Sequence, residues 1–192
     1  LDHNLSYFST IAGPTDQIIQ LYRFRSLDHW KACYDQYYST QKIDYFQLVR
    51  TLMLQQENGF FAAPPVAELA EHLTAARPRP PAAVAAAAAP DAGAMCVVET
   101  TTDFLPGGLV AYWEACRRHG VAGHAIDRRH RIGVLVSLVG RIHRVIQYRG
   151  FRTLAEAQQH QELLAADAGW RDFVASYQSL VAGGQTSYLR PA

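Results

Sequence analysis

The chain has 192 residues, with 18 Lys and Arg against 17 Asp and Glu for a net charge of +1, and 49% of its residues are hydrophobic. That balance supplies enough apolar mass for a globular core, and it lacks the basic excess of a nucleic-acid surface, so no nucleic-acid partner is expected. No stretch reaches the roughly 18 uncharged apolar residues of a membrane helix, so no membrane span is expected either.

Leu5 to Ile11 is rich in β-branched and aromatic residues and reads as a strand, closed by the turn Ala12-Gly13-Pro14-Thr15-Asp16. Ile18 to Phe24 is the second strand of that hairpin. Ser26 caps a following helix with Asp28 in its first turn, and Leu27, Trp30, Tyr34 and Tyr37 recur at helical spacing as its buried stripe. Thr40 restarts a helix through Ile43, Phe46 and Val49, and Leu54 to Ala62 reads as a closing strand before Pro64-Pro65. Residues 64–94 then change character. ARPRPPAAVAAAAAPDAGA is a proline and alanine tract with little to bury, which reads as a linker after a short helix at Val66 to Ala76.

Cys96 to Asp103 is a strand, Leu105 to Gly108 a turn, and Leu109 to His119 a helix with Leu109, Tyr112, Trp113 and Cys116 on one face. After the polar loop Gly120 to His130 comes a hairpin of Ile132 to Leu138 and Arg141 to Arg149. Thr153 with Glu156 forms a capping box for the next helix. Asp167 caps a final helix carrying Trp170, Phe173 and Tyr177, and Thr186 to Leu189 is the last strand. The order strand, helix, strand, strand, helix, strand is the ferredoxin-like unit.

A shift of 127 positions (145 − 18) lays Ile18 to Leu27 over Val145 to Leu154 and superposes Ile19 on Ile146, Gln20 on Gln147, Phe24 on Phe151 and Arg25 on Arg152. The register continues without a gap to Phe46 over Phe173 and Pro64 over Pro191. An internal repeat of this kind sets the architecture. Residues 1–63 form a first ferredoxin-like repeat, 64–94 a linker and 95–192 a second repeat. Residue 1 corresponds to Arg128, so the counterpart of Cys96 to Gly120 has no place in this sequence. The opening Leu1 suggests a chain that begins inside a longer one, with that strand and helix cleaved, disordered or supplied by a partner.

The segments GPTDQIIQLYRFRSLDHW and VGRIHRVIQYRGFRTLAEA, together with Gln56-Glu57-Asn58 and the closing Tyr188-Leu189-Arg190-Pro191, resemble the NIPSNAP family of the dimeric α/β-barrel superfamily. The resemblance implies an α+β fold of two ferredoxin-like repeats whose antiparallel sheets face each other as a pseudo-dimeric α/β barrel around a cavity. Two departures stand out. Gln20 and Gln147 take the place of a histidine that family members often carry in the third strand, and Val98-Glu99-Thr100-Thr101 stands where they tend to have Tyr-Glu-x-Arg.

Strand alternation separates side chains facing the helices from those facing the opposing sheet. With Ile19, Leu21, Ile146 and Tyr148 assigned to the helix side, the barrel receives Gln20, Tyr22 and Phe24 from one half and His143, Gln147 and Arg149 from the other. The cost of burying Glu99 against helices places Glu99, Thr101 and Asp103 in the barrel as well. His143 is the expected general acid or base, with Glu99 to orient it and Arg149 to hold a carboxylate or enolate. Gln20, Tyr22, Phe24, Thr101 and Gln147 are the expected substrate contacts. Cys116, His119, His124 and His130 have suitable ligand chemistry but match no zinc spacing, so no metal is expected.

By analogy with barrel relatives, the resemblance implies a small-molecule enzyme with no tightly held cofactor, acting on an apolar aromatic or polyketide-like substrate in the barrel by proton transfer, cyclisation or oxygenation. The alternatives are a non-catalytic NIPSNAP-type binding or adaptor protein, and haem binding through His143. Cys33, Cys96 and Cys116, odd in number and widely spaced, fit reduced thiols and a cytoplasmic location. Association into a homodimer is a further expectation.

Overall fold

Runs of alternating branched and aromatic residues become strands, and the stretches with helical spacing become helices between them. The computed structural model describes residues 4–14, 16–39, 47–48, 50–70 and 96–191. In chain order the elements are β1 (Asn4–Ala12), β2 (Ile18–Tyr22), α1 (Leu27–Ser39), β3 (Phe60–Ala62), β4 (Cys96–Phe104), α2 (Gly108–Arg118), α3 (Ala125–Arg128), β5 (Arg131–Val139), β6 (Arg144–Phe151), α4 (Leu154–Ala166), α5 (Ala168–Tyr177) and β7 (Val181–Pro191). The seven strands among the described residues form one sheet in the order β2-β1-β7-β4-β6-β5-β3. All the pairings are antiparallel.

Within β7-β4-β6-β5 the first and third strands of a ferredoxin-like unit lie side by side, with the second and fourth outside them. The strands of the first half add to both edges of that unit: β1 pairs with β7, and β3 with β5. The bounds of β1 and β5 differ by 127 positions (131 − 4), as do those of α1 and α4 (154 − 27).

The sheet curls. Phe8 of β1 stacks on Tyr148 of β6 with ring centroids 6.1 Å apart, although β7 and β4 separate the two strands, which in a flat sheet would lie roughly 14 Å apart. Trp30 of α1 meets Phe60 of β3 edge-on at 4.9 Å, joining elements from opposite ends of the strand order.

Curling gives the sheet two apolar faces. Among the described residues the inner face is built from strand residues: Phe8, Val97, Ile146, Tyr148 and Leu189 are buried, with Ile19, Leu21, Phe61 and Leu135 packed against them. The outer face carries the helices, where Phe104, Val134 and Val145 pack with Tyr112, Trp113, Cys116 and Phe173. A smaller group, Cys96, Val98, Phe151 and Ala157, lies under α4.

Three expectations change in detail. The closing strand of the first half is three residues long, Phe60–Ala62, with Leu54 fully exposed before it. The last strand is longer than its apolar stretch, Val181–Pro191, because its glycine-rich start pairs with Asp103 and Thr102 of β4. The start of the expected linker is not a bare connector: Val66 and Leu69 are buried in the main core, and Arg117 donates to the Pro65 carbonyl at 3.1 Å. Residues 71–95, which hold the proline and alanine tract, lie outside the described residues, as do 40–46 of the expected second helix.

The caps form as expected. Thr153 Oγ1 accepts from the Glu156 amide at 3.1 Å, while Glu156 reaches back to the Arg152 amide at 2.8 Å. Asp167 Oδ1 accepts from the Trp170 amide at 2.7 Å. Thr153→Ala should therefore lower stability by about 1 kcal/mol, read as a lower urea midpoint at unchanged slope; an unchanged midpoint would show that Glu156 alone holds the helix start.

Candidate functional site

Alternation along β4 and β6 decides which groups can meet. Register pairs Glu99 with Tyr148 and Thr101 with Ile146, so Glu99 and Thr101 lie on the inner face, as expected. Tyr148 donates its hydroxyl to Glu99 Oε2 at 2.6 Å. Burial raises the Glu99 carboxyl above its ordinary value, against the lowering effect of that bond and of the Arg144 charge.

The same register sends Gln147 and Arg149 the other way, opposite Thr100 and Val98. This corrects the assignment of Gln147 and Arg149 to the barrel. The inner face is apolar too, so Ile146 and Tyr148 fit there, and the helix side supplies its own countercharge for Arg149. In β2 the faces are likewise reversed: Ile19 and Leu21 join the inner cluster. Gln20 and Tyr22 are exposed and bond each other, hydroxyl to Oε1, at 2.8 Å. Phe24 lies beyond β2 and meets the His29 ring at 6.0 Å. His143 is not on a strand. It sits in the β5–β6 turn with φ 64°, and its carbonyl accepts from the Phe104 amide at 2.8 Å. The expected convergence of Glu99, His143 and Arg149 is therefore not formed.

What forms instead is a buried polar chain under the helices. Asp127, in α3, is 1% exposed and sits between Arg131 and Arg149, which are 6% and 8% exposed. Its Oδ2 accepts from Arg131 Nε at 3.0 Å and also from Arg131 Nη2, and its Oδ1 from Arg149 Nε at 2.6 Å. Arg131 continues to the carbonyls of Val121 and Ala122 at 2.8 and 3.0 Å. Arg149 Nη2 donates to Gln147 Oε1 at 2.6 Å, and Gln147 Nε2 donates to the Tyr112 hydroxyl at 2.9 Å. Burial works to raise the Asp127 pKa, but the two guanidiniums outweigh it and hold the carboxyl below its ordinary value. One carboxylate faces two guanidiniums, so the cluster carries a net positive charge.

Arg149 and Gln147 also line a cavity of about 230 Å³ between the sheet and helices α4 and α5. Thr100 and Thr102 contribute to its floor, and Phe151, Trp170, Phe173 and Tyr177 to its walls. His160 of α4 lies on the same wall. It is 4% exposed, and its Nε2 has no hydrogen-bond partner. Burial, and then the Arg149 charge, lower its pKa to about 4, against a backbone hydrogen bond at Ile126. At neutral pH the ring is uncharged, and with its proton on the bonded nitrogen, Nε2 is a buried acceptor without a partner. His160 was missed in the sequence, although it lies on one helical stripe with Ala157 and Leu164. The histidines weighed as metal ligands have other partners: His124 Nε2 meets Asp167 Oδ1 at 3.3 Å, and His130 Nδ1 meets the Gly150 carbonyl at 3.1 Å.

A curled antiparallel sheet with helices on its outer face, extended at both edges of one ferredoxin-like unit, is the architecture of the dimeric α/β barrels. In shape the chain is similar to an anthrone oxidase-like protein, with a TM-score of 0.60 at 12% identity over 99% of this chain and 76% of that one. Residues 103–192 match the NIPSNAP family model. A NIPSNAP family protein of Agrobacterium tumefaciens superposes with a TM-score of 0.48 at 25% identity, over 52% of this chain and 88% of that one. A NIPSNAP-like domain protein of Burkholderia xenovorans does so with 0.46 at 25%, over 51% and 85%. Comparison with the curated proteins finds no match. Among the described residues no helix is long and apolar enough to cross a membrane.

Proposed function

We propose that the protein is a small-molecule enzyme whose chemistry takes place under the helices rather than inside the barrel, on an apolar aromatic or polyketide-like ketone. The observation that carries this reading is the buried, unpartnered Nε2 of His160 on the wall of the cavity that Arg149 also lines. Aromatic walls with a few converging polar groups are the ordinary make-up of a ligand pocket. The reaction the groups suit is proton transfer beside a carbonyl. His160 Nε2 takes the proton from the carbon, the electron pair of that C–H bond moves to the carbonyl oxygen, and the resulting enolate rests against the Arg149 guanidinium. The negative charge of the enolate favours the protonated imidazole, so a ring that is neutral when empty can hold the proton and return it.

The test uses α-tetralone, a bicyclic enolisable ketone, in D2O, with α-deuterium incorporation followed by NMR. The protein should accelerate exchange at least tenfold over buffer, and His160→Phe and Arg149→Met should each abolish the acceleration while circular dichroism stays unchanged. Exchange at the buffer rate with the intact protein, or full activity in both variants, would sink the reading.

An adaptor or homodimer reading draws on a different observation, the exposed apolar side chains Ile11, Ile18, Leu27 and Leu52 in the first half. Light scattering over a concentration series separates the two, because an enzyme working in its own cavity stays active as a monomer.

A further inference from the structure

Helix α4 carries two adjacent stripes with different surroundings. Ala157, His160, Gln161 and Leu164 line the cavity against the sheet. Glu156, Gln159, His160 and Leu163, spaced three and four apart and so on one helical face, line a second cavity of about 300 Å³. Ile126 of α3, with Arg129 and His130 just after it, supplies the facing wall. His160 belongs to both linings. Its ring packs with those of His130 and Phe151: the centroids lie 4.6 Å apart for His130 and Phe151, 5.0 Å for His130 and His160, and 5.1 Å for Phe151 and His160. Phe151 lines the first cavity and His130 the second, so these three rings form the partition between them.

Charge decides what the second cavity can hold. Its acid, Glu156, already accepts from the Arg152 amide at 2.8 Å, and the charges of Arg152, His130 and Arg129 act on it. Beyond the partition, Asp127 is shared by Arg131 and Arg149. Four guanidiniums therefore stand against two carboxylates, and the field in this region draws anions. We infer that the second cavity is a binding site for a small aromatic carboxylate. Arg129 takes the carboxylate, because a planar guanidinium matches both of its oxygens at once, and the Gln159 amide adds a donor. The aromatic ring of the ligand lies against Ile126, Leu163 and the His130 imidazole, which gives the mixture of apolar wall and few polar groups that a small-molecule site needs. Arg129 and Gln159 are exposed, so the ligand enters from solvent without crossing the ring partition. The site does not depend on the reaction proposed for the first cavity, since its occupancy is read by binding alone.

The experiment titrates the intact protein with benzoate at physiological ionic strength, followed by amide NMR, with benzamide as the neutral ligand of the same shape and inorganic phosphate as a plain anion. Benzoate should bind saturably and shift the amides of Ala125 to His130 and of Glu156 to Leu163. Benzamide and phosphate should each bind at least tenfold more weakly. Arg129→Gln should weaken benzoate at least tenfold and leave benzamide unchanged; the side chain is exposed, so the variant should fold, which an unchanged circular dichroism spectrum checks. Leu163→Trp, which fills the cavity while keeping Arg129, should also weaken benzoate. No saturable binding, equal binding of benzamide, or full affinity in both variants overturns the proposal. Phosphate binding as tightly as benzoate also overturns it, because it reduces the effect to general attraction by an arginine-rich surface.

Discussion

Asp127→Ala should cost about 3–5 kcal/mol of stability, because it strips the sole carboxylate from two buried guanidiniums and leaves both charges without a counterion. Arg131 and Arg149 are 6% and 8% exposed, so neither can turn to water without opening the helix layer. Arg149→Met should cost less, since it leaves Asp127 paired one-to-one with Arg131 through two contacts. Urea denaturation of the two variants checks the order, and a loss under about 1 kcal/mol for Asp127→Ala would show that water reaches the cluster. The pH dependence has a defined sign. The Asp127 carboxyl is held below its ordinary value, so its contribution is present above the ordinary aspartate range and is lost as pH falls through its folded value.

His160 should produce a separate acid loss at higher pH. Its pKa is lowered from 6.5 to about 4 in the folded chain, so the native state binds fewer protons than the unfolded chain in that interval. Stability is then full above 6.5 and falls as pH drops toward 4, by an amount on the order of 2–3 kcal/mol for a shift of this size. The groups that set this are the burial of the ring, the charges of Arg149 and His130, which lower its pKa, and Asp127 with the Ile126 backbone, which raise it. Urea midpoints at pH 7, 5.5 and 4 should fall more steeply for the native protein than for His160→Gln. Parallel slopes would mean that the imidazole is solvated, and would also remove the basis for its role as an acceptor in the cavity. The same shift bears on function, since a ring uncharged at neutral pH is available to take a proton.

The helix starts were legible because caps are local. Thr153 with Glu156, and Asp167 three residues before Trp170, state their hydrogen bonds in the sequence. The turn at Gly107-Gly108 and the hairpin of β5 and β6 were legible for the same reason. Gly107 takes φ 84°, which a residue with a side chain rarely adopts, and nothing lies within 4 Å of a Cβ built there, so backbone conformation rather than space selects glycine. Ile18 to Leu27 matches Val145 to Leu154 at a spacing of 127 positions, and the bounds of β1 and β5, and of α1 and α4, differ by that same interval.

The side to which each strand points was a different matter. Alternation separates two faces but does not name them, and it names them least well when both are buried. On β6, Val145, Gln147, Arg149 and Phe151 alternate with Ile146 and Tyr148. Assigning the polar set to the barrel assumed that helices cover only apolar residues. Asp127, twenty-two positions before Arg149 in the chain, reverses that assumption by carrying a carboxylate beneath the helices to meet it at 2.6 Å. His143 was misplaced for a related reason: its φ of 64° belongs to a turn, and no feature of Arg141 to Arg144 announces that the strand begins one residue later.

By itself, then, the sequence determined the main strands and helices of the second half, their ferredoxin-like order and the family resemblance, because capping, periodicity and turn chemistry act over a few residues. Only the tertiary structure decided which groups share a site. Asp127, Arg131, Arg149, Gln147 and His160 come from one short helix, two strands and a second helix, and the seating of α3 and α4 on the sheet joins the first four by hydrogen bonds and sets Gln147, Arg149 and His160 around one cavity. Their charges then balance, or fail to balance, in surroundings where water no longer screens them.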